Sequence, residues 1–548
     1  MNQFREENCL PEIYRESFHR HWKQPLFSDY EGLKLTYGEV AAHIVQIHQF
    51  FREQKICPGD RIALLGRNSS NWGISFLAVF FYGAVVVPVL PDFNPEDMHH
   101  ILTHSQSRLL FVGDSVVKQL NRDQLPDLCG VISLQSFDLL TDDNERIRSV
   151  VKLDGADVSS VGPDELRIYA PREEDPCLLS YTSGTSGFTK GVVLPMRSLW
   201  SNIVFARKHM PLESGNRIVS FLPMAHVFGL LFEFLFPVTM GCHITFLTRI
   251  PGPRIVLQAF REIRPHVILS VPLVIEKIYQ TRILPVIQKP LVKVLLKVPL
   301  LNKFIYDQIG KKLTAAFGGR FHEIVIGGAA LSNEVEQFFR KVHFPFTVGY
   351  GMTECGPLIS YAAWNETRPG STGKLVDRME IRVNSADPYC QPGEILVRGA
   401  NCMTAYFRNP GESRKTIDAD GWLHTGDLGV IDHQGFVYLK GRCKNMLLGP
   451  SGQNIYPEEI EAKLNQQALI RECVVVQREN KLIGLVYVDP EEKETLTNER
   501  QRPEDLLEAV RVRVNQTLPV YSQLRALEMQ DNEFEKTPKR NIRRFRYQ

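Results

Sequence analysis

Tyr181-Thr-Ser-Gly-Thr-Ser-Gly-Phe-Thr-Lys-Gly191 is the stretch on which the reading of this chain turns. It follows an apolar, strand-like Cys177-Leu-Leu-Ser. Its glycines, Gly184, Gly187 and Gly191, let the backbone come close to a ligand and present N–H groups. Thr182, Ser183, Thr185, Ser186 and Lys190 add donors. A hydroxyl-rich surface turn would need neither the lysine nor the buried strand before it. Together they favour a polyphosphate cradle. It is not a Walker A loop, since Gly187 and Lys190 are wrongly spaced and no Gly-Lys-Ser/Thr occurs there.

Outward from this loop, strand-like runs alternate with helical patterns: Arg61-Ile-Ala-Leu-Leu-Gly, Val267-Ile-Leu-Ser-Val and Glu323-Ile-Val-Ile-Gly-Gly. Such alternation predicts an α/β fold with a largely parallel sheet. From about Ile381 short strands separated by Gly, Pro, Asn and Asp turns predict a β-rich subdomain, about 381–441. After Gly441 a compact α+β segment is expected, with a helix near Pro457–Asn465 and strands near Cys473–Gln477 and Leu482–Val488. The expected division is a large domain over 1–441, a hinge at 442–444 and a small domain over 445–548. Trp72 to Leu90 is uncharged and about as long as a membrane span, but Gly73, Gly83 and Pro88 break it. It reads better as a buried helix to about Tyr82 and a strand, Ala84-Val-Val-Val87.

The chain has 548 residues, 43% of them hydrophobic, with 64 Lys and Arg against 62 Asp and Glu. It is long enough to bury a large core, and a net charge of +2 argues against a dedicated nucleic-acid binder. Its ten cysteines form no C-x-x-C pair, so reduced, mostly packed thiols in a cytoplasmic protein are expected, without structural zinc. The mixed-charge start, Met1-Asn-Gln-Phe-Arg-Glu-Glu, is not a secretory signal.

Further motifs follow in order: Pro223-Met-Ala-His226, Gly327-Gly-Ala-Ala-Leu331, Tyr350-Gly-Met-Thr-Glu354, Gly421-Trp-Leu-His-Thr-Gly-Asp427, and Gly441-Arg-Cys-Lys444 with Gly452-Gln-Asn-Ile-Tyr-Pro-Glu-Glu-Ile-Glu461. With the hydroxyl-rich loop they resemble the signatures of the adenylate-forming superfamily of acyl-CoA synthetases, luciferases and nonribosomal adenylation domains. The resemblance runs from roughly residue 30 to the C-terminus. The stretch from Pro450 to Glu461 is most similar to bacterial long-chain fatty acid–CoA ligases.

The resemblance implies that a carboxylate attacks the α-phosphorus of ATP to give acyl-AMP and pyrophosphate. Coenzyme A then attacks the acyl carbonyl and releases AMP. It implies that the loop with Lys190 holds the β- and γ-phosphates, that Thr353 donates to the α-phosphate and that Glu354 holds Mg²⁺. Gly328, Ala329 and Ala330 would wall the adenine, with Ala330 where the family usually has Pro. Tyr350 would stack on the base, beside Gly351 and Met352. Asp427 would accept from the ribose hydroxyls, and Arg442 would fork to ribose or phosphate. His226 would line or gate the acyl and thiol pockets. Lys444 stands at the hinge position, and Gly452 would border the pantetheine tunnel. Gly351, where short-chain relatives carry Trp, implies an acyl tunnel open to medium or long chains.

One departure stands out. The family's last catalytic lysine aligns with Asn541 in Lys536-Thr-Pro-Lys-Arg-Asn541, and Arg540 replaces a glycine. Either Lys539, Lys536 or Arg540 supplies the charge, with Lys539 the expected catalytic cation, or adenylation is slow or lost. Thr189 stands where the family usually has Pro. Three alternatives to a fatty acyl-CoA synthetase stay open: an acyl-AMP or acyl-carrier-protein ligase, a non-catalytic acyl-nucleotide binder, and a membrane-tethered scaffold. Lys289, Lys293 and Lys297 lie at i, i+4 and i+8 and suggest a basic helical stripe over 288–297. It would suit either peripheral contact with the inner membrane face or a solvated helix face. A homodimer is compatible with the sequence.

Overall fold

The computed structural model describes residues 9–125, 127–141, 144–151, 161–183, 189–248, 252–296, 298–448, 454–467, 469–478, 481–488, 503–536 and 542–547. The statements below concern these residues.

The apolar run at 72–90 shows how local chemistry sets the architecture. The helix Ser70–Tyr82 starts where the Ser69 hydroxyl accepts from the Trp72 N–H, and it stops at Gly83, whose φ is +84°. A Cβ at Gly83 would lie 2.4 Å from the Tyr169 ring, so both conformation and space demand glycine there. The chain then enters the strand Val85–Val89, buried throughout. No described helix is long and apolar enough to cross a membrane.

That strand lies inside a mixed sheet. In spatial order the sheet runs Ala405–Tyr406, Thr189–Pro195, Pro176–Ser183, Val85–Val89, Arg61–Leu65, Leu109–Val112, Gly130–Ser133, Asp138–Leu140 and Arg146–Ser149. The middle pairings, from Pro176–Ser183 to Gly130–Ser133, are parallel, and those toward either edge are antiparallel. A second sheet joins Arg217–Ser220, His243–Phe246 and Pro25–Asp29 in parallel, with Lys34–Thr36 antiparallel at its edge. A third is parallel: Val267–Ser270, Glu323–Ile326 and Phe346–Val348. Helices such as Tyr37–Glu53 and Met196–His209 bury apolar faces in one core continuous with these sheets.

The β-rich region forms an antiparallel sheet of Met379–Asn384, Gly393–Gly399, Leu423–Ile431 and Val437–Arg442. Beyond the short turn Cys443–Asn445, the helices Pro457–Leu464 and Pro503–Asn515 pack on the strands Ile470–Arg478, Lys481–Val488 and Ala526–Gln530 around a separate core. The architecture is the α/β arrangement expected, with a β-rich part and a smaller C-terminal α+β part.

The basic stripe is different. Residues 284–316 form three pieces, Leu284–Ile287, Pro290–Leu295 and Pro299–Ala316. Each has proline at its start, where the missing N–H is harmless but a continuous helix is not. Lys289 lies between pieces and Lys297 lies outside the described residues, so the three lysines do not share one helix. The described cysteines are all free thiols.

Candidate nucleotide and acyl site

The strands Pro176–Ser183 and Thr189–Pro195 pair antiparallel, with Thr182 opposite Lys190 and Ser183 opposite Thr189. The hydroxyl-rich stretch therefore joins two strands as a hairpin, unlike the strand-to-helix loop of a Walker motif. Gly184, Thr185, Ser186 and Gly187 lie outside the described residues, as do the Ser183 side chain, Gly452, Lys539 and Asn541. Lys190 reaches across to Glu412, with which it forms an ion pair, and its ammonium lies 5.3 Å from the centre of the Tyr406 ring. These partners come close because Val192 pairs with Tyr406 in the edge strand. The helix Pro410–Thr416 then begins at Asn409, whose side chain accepts from the Glu412 N–H. The Lys190 bond, seconded by Lys415, holds the Glu412 carboxyl down at about 2.

Glu354 sits on the turn Thr353–Cys355 and is 9% exposed. Its Oε1 accepts from the Tyr406 hydroxyl at 2.8 Å, and its carbonyl accepts from the Met403 N–H at 2.7 Å. Burial and then the Glu354 charge push the Tyr406 hydroxyl far above the usual phenol range. Tyr406 thus links the turn carrying Glu354 to the strand next to Lys190. Mg²⁺ commonly takes one or two carboxylates, substrate phosphates and waters. Glu354, linked through Tyr406 to the strand beside Lys190, fits that demand, and no described cluster of three or more His, Cys, Asp or Glu competes for a tighter metal.

Tyr350 and Asp427 meet in the core. The Tyr350 hydroxyl donates to Asp427 Oδ2 at 2.8 Å, and Arg442 Nε lies 3.1 Å from Asp427 Oδ1. Asp427 and Arg442 are register partners in the β-rich sheet. Burial raises the Asp427 carboxyl above its ordinary range, and the Arg442 charge opposes that rise. Gly327 ends the strand Glu323–Ile326, and Gly328, with φ +87°, turns the chain so that Gly328, Ala329 and Ala330 are exposed. Gly351 is exposed too, and a Cβ there would lie 2.2 Å from the Pro357 carbonyl oxygen. No side chain fits at 351 without moving backbone.

His226 precedes the short helix Val227–Gly229 and is half-buried. Neighbouring Phe228 would lie 3.0 Å from a Cβ on Gly327, so the His226 turn packs against the start of the 327–330 turn. Lys444 is exposed in the turn Cys443–Asn445. Just beside it, Asn445 donates to Glu458 Oε1 at 2.6 Å.

The sequence reading did not single out Tyr406, Glu412, Asn68 or Glu233. Lys190 and Glu412 are 222 positions apart, and only the pairing of an edge strand brings them together. A glutamate seven residues after His226, inside an otherwise apolar run, is the one local sign that sets Glu233 apart.

The AMP-binding enzyme family matches residues 14–407, and the AMP-binding enzyme C-terminal domain matches residues 445–547. The long-chain-fatty-acid–CoA ligase FadD15 of Mycobacterium bovis is 30% identical over 474 residues, spanning 79% of this chain and 74% of the relative. The 4-coumarate–CoA ligase 2 of Oryza sativa subsp. japonica is 29% identical over 452 residues, spanning 78% and 74%. Among solved structures, the anthranilate CoA ligase AuaEII in complex with anthranoyl-AMP superposes with a TM-score of 0.78 at 20% identity, covering 98% of this chain and 96% of that one. With its paired Lys190, buried Glu354 and buried Asp427, this chain belongs to the AMP-binding enzyme family, the adenylate-forming acid–thiol ligases.

Proposed function

We propose that this protein is an AMP-forming fatty acyl-CoA synthetase acting on medium or long chains. What supports the reading is that Tyr406 joins Glu354 to Lys190, that Tyr350 and Arg442 both meet Asp427, and that Gly351 cannot bear a side chain without moving backbone. The fatty carboxylate attacks the α-phosphorus of ATP, and pyrophosphate leaves. The coenzyme A thiol then attacks the acyl carbonyl, and AMP leaves. Phosphoryl transfer of this kind depends on positioning and charge neutralisation. Lys190 and the hairpin hydroxyls neutralise the β- and γ-phosphates, and Thr353 donates to the α-phosphate. Asp427 and Arg442 fix the ribose, with the adenine between Tyr350 and the 328–330 turn. Glu354 would hold Mg²⁺, which would supply charge stabilisation at the phosphates. His226 lines the acyl and thiol pockets. Residues 445–548 act as a lid turning about Lys444, with Gly452 at the thiol tunnel.

Carboxylate-dependent ATP–pyrophosphate exchange over acids of increasing chain length tests the first step. An optimum at medium or long chains supports the reading; a preference for aromatic acids or for acetate overturns the substrate class. Exchange lost in Lys539→Ala and raised in Asn541→Lys would assign the missing cation to Lys539. No exchange at all, with ATP still bound, would favour the non-catalytic reading that Asn541 motivates. Competition between free coenzyme A and a carrier protein separates the two thiol acceptors.

The same reading extends to a bilayer surface. Leu273, Val286, Val298, Leu301 and Phe304 are exposed, the last at 61%. Val298, Leu301 and Phe304 recur at every third position, along one side of the helix Pro299–Ala316 and its N-cap. Between Lys277 and Lys312 the sequence carries a series of Lys and Arg with Asp307 as the only acid. Exposed apolar side chains among cations suit an anionic bilayer, in which the substrate dissolves. Vesicles of phosphatidylcholine with phosphatidylglycerol should bind the protein, and those without it should not. Phe304→Ser with Leu301→Ser should abolish that binding. Equal behaviour of the two vesicle types would remove the idea.

A further inference from the structure

The turn that carries His226 is held by three buried polar side chains. Glu233 is 0% exposed and lies in the π-helical segment Leu230–Leu235. Its Oε2 accepts from the N–H groups of Phe221, at 3.0 Å, and Leu222, at 3.1 Å. Its Oε1 is sealed from solvent without a hydrogen-bond partner. From the other side, Asn68 Nδ2 donates to the Leu222 carbonyl at 2.7 Å and to Ser220 Oγ at 3.1 Å, while Asn68 Oδ1 accepts from the Met224 N–H at 3.0 Å. The N–H groups of Phe221, Leu222 and Met224 and the Leu222 carbonyl are therefore all met by the side chains of Glu233 and Asn68.

A buried carboxylate in apolar surroundings is costly, and retaining one there calls for a reason beyond packing. Ordinary helical turns need no such group, and π-turns gather at functional sites. What the clamp fixes is the approach to His226. Ala225 lies in the same apolar cluster as Leu179 and Tyr181 of the strand Pro176–Ser183, and the Phe228 ring lies against Gly327. Gly229 is pressed to within 3.1 Å of Leu222 and of the Pro223 carbonyl oxygen, counted from where its Cβ would stand. A small shift of 221–224 would be passed straight to His226.

We propose that Glu233, with Asn68 and Ser220, is a positioning residue that sets His226 for the acyl and thiol pockets by accepting from the backbone of the turn that leads to it. This rests on the ligase reading of His226 above. Burial raises the Glu233 carboxyl well above its ordinary range, against the pull of the Leu222 and Phe221 N–H groups and the Ser220 hydroxyl. Both backbone donors converge on one oxygen, so glutamine can accept both with its carbonyl while its amide N–H groups find the neighbouring Ser220 hydroxyl as acceptor. Glu233→Gln should therefore preserve the site, and Glu233→Ala should not.

The test compares these variants in both half-reactions and in the nuclear magnetic resonance signals of ¹³C-labelled histidine, with His226 assigned by His226→Ala. In Glu233→Ala, kcat/KM for the fatty acid and the rate of thioester formation should fall by about 10-fold or more, with the ATP KM within about twofold, and the His226 signal should move. Glu233→Gln should restore all three, with a pH profile like the parent's. If Glu233→Ala raises the ATP and fatty-acid KM together, or if Glu233→Gln fails like alanine, the positioning role falls. A parent protein without exchange activity would sink the ligase reading alone, since the histidine signal still reports whether Glu233 sets His226.

Discussion

The two ends of the proposed nucleotide site are prepared differently. At the ribose end, Asp427 is joined to Tyr350 and Arg442, and both contacts can persist when a ribose arrives, because a carboxylate has acceptor sites to spare. At the phosphate end, Lys190 is paired with Glu412 and Glu354 with Tyr406. On the proposed reading an arriving triphosphate and its metal meet side chains already paired within the protein. The ribose end would then be preassembled and the phosphate end an exchange, so substitutions should act differently on the two.

The largest effect is expected at Glu354. Glu354→Gln keeps a partner for the Tyr406 hydroxyl but removes the metal-holding charge. Pyrophosphate exchange should fall by about 10²–10³-fold, the scale for loss of one preorganised electrostatic contact. The ATP dissociation constant without metal should stay within a few-fold. A similar loss of metal-free binding would mean that Glu354 acts by holding the fold.

Next comes the ribose end. Asp427→Ala removes the diol acceptor and strands the Tyr350 hydroxyl in the core, so the ATP KM should rise about 10- to 100-fold, since hydrogen bonds to charged groups contribute about 1.5–3 kcal/mol. The same carboxylate gives a pH signature. Ionised Asp427 accepts from the ribose, so ATP affinity should be lost as pH falls through its raised pKa. Arg442 opposes that rise. Arg442→Gln should therefore move the acid limb of a log(1/KM) profile to higher pH. An unmoved limb would assign it to another group.

The same contrast separates what could be read from sequence from what could not. Gly328 and Gly351 were visible because backbone geometry permits little else there: φ is +87° at one, and a carbonyl fills the side-chain space at the other. Asp427 and Arg442 lie in one sheet, fairly close in sequence, and the motif that carries each is local. The helix and strand of 70–89 followed from two glycines and a proline in an apolar run. The partners at the phosphate end had no such mark. Tyr406 and Glu412 reach Lys190 only through an antiparallel edge strand, and neither spacing nor periodicity encodes that pairing. The lysine stripe misled because i, i+4 spacing describes a helix only if one forms, and the prolines at 285, 290 and 299 divide the chain there.

The smallest effect sharpens the comparison most. If ATP binding exchanges the Lys190–Glu412 pair for a Lys190–phosphate contact, part of the phosphate attraction is spent releasing the ammonium. Glu412→Gln would then lower the ATP KM, by about twofold to fivefold, because partly exposed ion pairs contribute roughly 0–1 kcal/mol. The gain should shrink as salt is added, since the pair it removes is itself screened. The opposite sign is as informative. If Glu412 instead aims Lys190 at the phosphates, Glu412→Gln raises the ATP KM, and the phosphate end is preassembled like the ribose end. Isothermal titration with ATP at two salt concentrations reads the sign directly.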